Sequence, residues 1–342
     1  MAAAARSASL IGAPTDIGAS DRGASMGPEA LRVAGIHAAL TARGLDVVDC
    51  GNVSGPPNPG LIKVNGYRNL AQVTAWNHEV HDAVYRELTE HRLPILLGGD
   101  HSLSIGSISA VARRCRDARR PLRVLWLDAH TDFYTRDLSL SGSLHGMPLS
   151  CLCGFGPREL LQIGGVSPAI SPRWVRQVGI RSVDAGERRF VHEQNLDVFD
   201  MRLIDEMGVR KVMDLALRDM DADTHLHVSF DVDFLDPEIA PGVGTTVAGG
   251  LSYREAQLCM EMISDTGRVA SVDIMELNPA LDVRNKTAVL AVDLVESLFG
   301  KSTLMRKPPA FPRALIDTSN EGTLTANSTA TGGNAVLVNL GD

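Results

Sequence analysis

Short apolar runs recur along the chain, each closing on a polar or glycine-rich turn and most of them leading into a stretch of helical periodicity. Ser9-Leu-Ile-Gly-Ala-Pro14 reads as a first strand. Beyond the polar loop Thr15 to Gly27 a helix opens at Pro28 and Glu29, because proline suits the first helical position and a carboxylate the positive end of the helix dipole. It runs to about Arg43 and stops at Gly44, after which Asp46-Val-Val-Asp49 begins a second strand. A loop over 51–60 and a long helix, about Asn69 to His91, lead to the strand Leu93-Pro-Ile-Leu-Leu97. The turn Gly98-Gly-Asp-His-Ser102 follows, with Ser102 the candidate cap of the next helix.

Val124 to Asp132 reads as the fourth strand, Trp174 to Ile180 and Leu196 to Met201 as the next two. A helix over 205–218 precedes the strand His225 to Asp233. A glycine-rich loop, 241–250, and a helix over 252–266 then bring in the last strand, Arg268 to Pro279, which delivers Asp273, Glu276 and Asn278 at its end. The apolar stretch 287–299 is a final helix. Eight strands alternating with helices and no intervening linker predict a single-domain, three-layer α/β/α fold with a largely parallel eight-stranded sheet. A closed β/α barrel is the alternative and would set the same loops on one face. The domain is expected over 8–306. From Lys307 to Asp342 the chain turns to Pro, Ala, Thr, Ser, Asn and Gly, an extended tail that is either mobile or packed on a neighbouring subunit.

Chemistry concentrates where the strands end. Strand side chains alternate with period two, so Asp128, His130 and Asp132 are expected to point one way just past the carboxyl end of their strand, where open α/β sheets bind ligands. Asp231 and Asp233 repeat the pattern, and His101 stands at a third strand end. A lone Asp-x-Asp or Asp-x-His there is more often structural, but three strand ends with the same ligand chemistry point to a metal. Buried carboxylates and imidazoles converging on one place need a cation. With no thiolate among them, the set suits Mn²⁺, Mg²⁺, Fe²⁺ or Zn²⁺. Six ligands are too many for one tetrahedral zinc and fit two ions bridged by shared carboxylates. Such a pair lowers the pKa of a bridging water from 15.7 to about 7, giving hydroxide for metal-assisted hydrolysis. His225 and His227 lie deeper in their strand and are expected to be core or supporting residues. Cys151 and Cys153, with no second pair, read as buried thiols.

Composition narrows the partners. The chain has 342 residues, 44% hydrophobic, and a formal net charge of -8, which argues against nucleic acid or an anionic membrane and suits a small cationic substrate. Five scattered cysteines do not form a disulfide framework and suggest a reducing, cytoplasmic setting. No apolar run reaches the roughly 18 residues that span a membrane, and Met-Ala-Ala-Ala-Ala-Arg is too short for a signal peptide. The first βα turn lacks the glycine fingerprint of a dinucleotide-binding oxidoreductase.

Gly98-Gly-Asp-His-Ser102, Asp128-Ala-His-Thr-Asp132 and Ser229-Phe-Asp-Val-Asp-Phe-Leu-Asp-Pro237 together resemble the three signatures of the ureohydrolases, the arginase and agmatinase family. The resemblance spans about Leu10 to Gly300. Ser141-Gly-Ser-Leu-His-Gly146, Val183-Asp-Ala-Gly-Glu187 and Asp273-Ile-Met-Glu276 resemble the arginase branch in particular. What the resemblance implies is an enzyme with two Mn²⁺ per subunit, a homotrimer or homohexamer, cleaving L-arginine to L-ornithine and urea by a metal-bridging hydroxide. It implies His101 and Asp132 on one ion, His130 and Asp233 on the other, and Asp128 and Asp231 bridging. Glu276 would hold the guanidinium by a charge-assisted hydrogen bond. Asp132 would accept a proton and His145 would pass one to the departing amine. Ser141 would meet the α-carboxylate, Asp184 and Glu187 the α-ammonium, and Thr245 would lie near the guanidinium. Tyr134 stands where arginases usually carry the asparagine that reads the α-carboxylate, and resembles agmatinases; Ser143 stands where asparagine is common. The alternatives are agmatinase or another guanidino-compound ureohydrolase, and a non-catalytic, metal-binding regulatory homologue.

Overall fold

Alternating burial on two faces builds the sheet. In the computed structural model, which describes residues 6–60 and 63–304, the strands are β1 Ser7–Gly12, β2 Asp46–Asn52, β3 Leu93–Leu97, β4 Leu122–Leu127, β5 Val175–Ile180, β6 Asp197–Asp200, β7 His225–Asp231 and β8 Val269–Met275. They join side by side, all parallel, in the order β2-β1-β3-β8-β7-β4-β5-β6. The sheet is therefore open, with β2 and β6 at its edges, and the barrel is excluded. A two-residue hairpin, Lys63–Val64 with Tyr67–Arg68, stands apart from it.

Ile95 and Leu97 of β3 face one apolar core and Leu96 the other; on β4, Leu125 and Leu127 oppose Val124 and Trp126. The first core is closed by helices Gly27–Val33, Ile36–Ala42, Val209–Ala216, Tyr253–Asp265 and Lys286–Leu298, the second by Leu70–Thr89, Ser104–Asp117 and Ala185–Glu193. Three layers result, because each helix buries one apolar stripe against a sheet that is apolar on both sides.

Two predicted helices are divided. The stretch opened by Pro28 breaks at Ala34 and Gly35, where Gly35 adopts φ 89°. No atom crowds that glycine, so the left-handed backbone alone selects it. The helix expected over 205–218 is Met201–Met207 and Val209–Ala216, parted at Gly208 with φ 78°. By contrast Tyr253–Asp265 starts as expected, with Ser252 and Glu255 forming a reciprocal capping box.

The strand order sets the site. It makes β3, β8, β7 and β4 consecutive, so the segments after Leu97, Met275, Asp231 and Leu127 emerge next to one another at the carboxyl edge. Among the described residues no helix is long and apolar enough to cross a membrane. The five cysteines are free, four of them buried. The expected tail, 307–342, lies outside the described residues.

Candidate metal centre and pocket

Each strand end stops sooner than the sequence suggests and turns on an aspartate. β4 ends at Leu127, so Asp128, His130 and Asp132 do not share the face of a continuing strand. Asp128 Oδ1 accepts the His130 amide at 2.6 Å, and Asp132 takes a left-handed φ of 49° that brings its carboxylate back. β7 ends at Asp231, whose Oδ1 accepts the Asp233 amide at 2.8 Å. After β3, Asp100 rather than Ser102 is the cap. Its carboxylate accepts the amides of Ser102 and Gly18, a task for an acceptor preceding the turn.

These turns aim the free oxygens inward. His101 Nδ1 lies 3.2 Å from Asp128 Oδ2, 3.1 Å from Asp132 Oδ2 and 2.9 Å from Asp231 Oδ2. His130 Nδ1 lies 2.9 Å from Asp233 Oδ2 and 3.6 Å from Asp128 Oδ1. Two groups able to hold a metal follow, His101 with Asp128 and Asp231, and His130 with Asp128 and Asp233. Asp128 belongs to both, one oxygen to each. The six expected ligands are thus brought together.

Supporting contacts fix the ligand rings. Ser229 Oγ engages His101 Nε2 at 2.8 Å and Trp126 stacks on the ring at 4.3 Å between centroids, so Nδ1 must face the carboxylates. Trp126 Nε1 also donates to Asp128 Oδ2 at 2.8 Å. Arg181 donates to the carbonyls of Asp233, Leu235 and Val247, binding the loop that carries Thr245 to the metal-binding turn. Sequence reasoning missed Trp126, Ser229 and Arg181. The first two each stand two residues before a ligand, on the same strand face, and could have been read from that spacing.

Charge balance asks for cations. Burial, followed by repulsion from Asp233 and Asp128, pushes the Asp231 carboxyl well above the usual carboxylate range. Burial and Asp128 raise Asp132 to about 6. Four buried carboxylates against two imidazoles keep their charge only if more positive charge arrives, and a hard or borderline divalent ion matches this nitrogen and oxygen donor set.

Beside the ligands opens a cavity of about 290 Å³, lined also by Tyr134, His145, Ser182, Thr245 and Glu276. Glu276 follows β8 with a left-handed φ of 61°, and its Oε1 accepts the His101 amide at 2.8 Å and sits 3.1 Å from His145 Nδ1. Burial works against a charged His145, but Glu276 outweighs it and holds the imidazole at about 9.

Three other expected residues stand away from the cavity lining. Ser141 Oγ accepts the Ser143 amide at 3.1 Å in an exposed turn. Asp184 caps the helix Ala185–Glu193 with Oδ1, while its Oδ2 accepts the Tyr134 hydroxyl at 2.7 Å. Glu187 is 1% exposed and accepts the Phe133 amide at 3.1 Å. His225 and His227 share Ser271 Oγ at 2.8 Å each, and Asp273 accepts Ser104 and Ser107, so all three support the core.

Burial pushes Glu187 up to about 7 from 4.5. Between those values the folded state binds the proton that the unfolded chain has lost, so stability falls as pH rises through this window, by about 3 kcal/mol in all. Glu187→Gln removes that loss. The melting temperature of the variant relative to the parent should be higher at pH 8 than at pH 5; an equal difference at both would show that Glu187 is not buried as a neutral acid.

The model of the arginase family matches residues 6–300. The arginase of Agrobacterium fabrum is 44% identical over 304 residues, 88% of this chain and 93% of the relative. The native structure of arginase from Bacillus caldovelox superposes with a TM-score of 0.82 at 41% identity, covering 87% of this chain and 100% of that one. Entamoeba histolytica arginase in complex with L-ornithine gives 0.79 at 31% identity, with 87% and 99% covered.

Proposed function

The chain belongs to the arginase family, and from that premise we propose that it hydrolyses L-arginine to L-ornithine and urea at a centre of two Mn²⁺ ions. The observation that carries the reading is the pair of histidine–carboxylate groups, buried except for the half-buried His130, that share Asp128 beside one cavity. His101 and Asp132 would hold one ion, His130 and Asp233 the other, with Asp128 and Asp231 common to both. When bound, two such ions acidify water so that a nucleophile is available near neutral pH, which the resonance-stabilised guanidinium carbon requires.

The chain's own residues do the rest. Glu276, kept anionic by His145 and the His101 amide, orients the guanidinium by charge-assisted hydrogen bonds. Asp132, whose carboxylate reaches the cavity, takes up the proton released as the tetrahedral carbon forms. His145 is tethered to Glu276 through Nδ1, and its raised pKa keeps a proton on the ring to hand to the departing amine. Thr245 lines the guanidinium end. Asp184 would draw the α-ammonium and Ser141 the α-carboxylate, both from outside the cavity lining, whereas Glu187, expected beside Asp184, is buried against the Phe133 amide and would support that loop without touching substrate. L-ornithine in the Entamoeba histolytica arginase supports a product of this kind. We place the chain in the cytoplasm as a homotrimer or homohexamer; its free cysteines support a reducing compartment.

Stripping the protein of metal and titrating Mn²⁺ back tests the centre: urea release should return in step with about two equivalents bound, and full activity in the metal-free protein would overturn it.

The Tyr134–Asp184 hydrogen bond favours agmatine, or another guanidino compound without an α-carboxylate, as the second reading. The phenol spends its one hydrogen on the carboxylate expected to meet the α-ammonium, so Tyr134 itself offers no donor to an α-carboxylate. Tyr134→Asn should therefore raise the ratio of kcat/KM for arginine over agmatine by about tenfold, the worth of one hydrogen bond to a charged group. An unchanged ratio would remove Tyr134 from substrate discrimination.

A further inference from the structure

At the opposite end of the strands the charge is reversed. A cavity of about 190 Å³ is lined by Arg6, Arg92, Arg114, Arg120, His91 and His225. His225 begins β7 and Asp231 ends it, so six residues of strand, about 20 Å at some 3.3 Å each, separate this cavity from the metal centre.

Its guanidinium groups are unequally compensated. Arg92 is paired with Glu87 and Glu90. Arg6 donates to the Val269 carbonyl, Arg114 to the Leu88 carbonyl at 3.4 Å and Arg120 to the Asp223 carbonyl at 2.9 Å. Among the described residues none of these three forms an ion pair. His225 is 4% exposed and is spent through Nε2 on Ser271. Burial and the neighbouring His227, Arg120, Arg6 and Arg114 hold its imidazole at about 3, so it stays neutral and adds no charge of its own. A protein of net charge -8 thus gathers three unpaired guanidinium groups about one concave space.

We propose that this cavity is a binding site for a compact, multiply charged oxyanion, of the phosphate or sulfate type, held by Arg6, Arg114 and Arg120. A guanidinium presents two parallel N–H groups that match a pair of anionic oxygens, and its weak hydration makes the transfer into a partly enclosed site favourable. The cavity volume exceeds that of one water, whose share of liquid volume is about 30 Å³, and would admit a tetrahedral anion with its remaining hydration. Nothing in the hydrolysis of arginine uses these residues, so the site is independent of the function proposed above.

Sulfate is the suitable probe, since it leaves bound Mn²⁺ in place. Full-length, metal-loaded protein is titrated with sodium sulfate and, at matched ionic strength, with sodium chloride, while the melting temperature is followed and heats of binding are measured. Sulfate should give a saturable rise that chloride does not. Arg114→Gln and Arg120→Gln should each weaken the apparent affinity about tenfold, as loss of a charge-assisted hydrogen bond implies. Arg119→Gln, which removes a neighbouring positive charge outside the cavity, should leave it unchanged. Arg120→Gln alone decides the matter if the Arg114 variant fails to fold. Equal responses to sulfate and chloride, or an Arg120→Gln protein that binds sulfate like the parent, would overturn the proposal.

Discussion

Asp128→Asn should reduce urea release by about three orders of magnitude or more and lower the metal content of the purified protein. Asp128 belongs to both histidine–carboxylate groups found among the described residues, with Oδ2 3.2 Å from His101 Nδ1 and Oδ1 3.6 Å from His130 Nδ1. An amide keeps the shape and presents one carbonyl oxygen, but it loses the charge and turns its second ligand atom into a donor. Both ions would be affected together, and loss of stabilising charge at a reacting centre is worth about 10²–10³ in rate even for a single donor. The fold should survive at some cost, because the asparagine oxygen can still accept from either Trp126 Nε1 or the His130 amide while its amino group faces the other donor. Elemental analysis beside circular dichroism checks this. A folded variant with full metal and parental activity would refute the shared role.

The second large effect is expected at Glu276, and it separates binding from metal content. Glu276→Gln should leave the metal bound and lower kcat/KM by about 10²–10³. Its Oε1 accepts from the His101 amide, which an amide oxygen can replace, whereas the negative charge that faces a cationic guanidinium cannot be replaced. The left-handed backbone at Glu276, φ 61°, holds this carboxylate in place after β8, so the geometry is built in before any substrate arrives. Loss of metal in step with activity would instead make Glu276 a part of the metal centre.

Much of this is legible in the amino-acid sequence. The apolar runs 93–97 and 124–127 mark strands that the structure holds, and the repetition of one ligand chemistry at three strand ends marks the groups able to hold a metal. What remained hidden has definite physical causes. The sequence shows where an apolar run stops, but not that Asp132 and Glu276 enter the left-handed region, because that strain depends on surrounding contacts. It shows Gly35 and Gly208 as weak points in helical stretches, but not whether the helix bends there or divides. Glu187 and Asp184 stand three residues apart at one helix start, and only packing decides that one is buried as an acid while the other caps the helix and meets Tyr134. Trp126 and Ser229 look like ordinary strand residues in the sequence, and only alternation carried back two positions from Asp128 and Asp231 singles them out.

The measurement closest to the central claim is steady-state release of urea and the matching amine from the Mn²⁺-loaded protein, with L-arginine and agmatine compared side by side. Urea and L-ornithine are expected in equal amounts, abolished by metal removal, with L-arginine the better substrate. Release of urea from agmatine alone would keep the metal chemistry but contradict the substrate, and no urea from any guanidino compound in the metal-loaded protein would contradict the account as a whole.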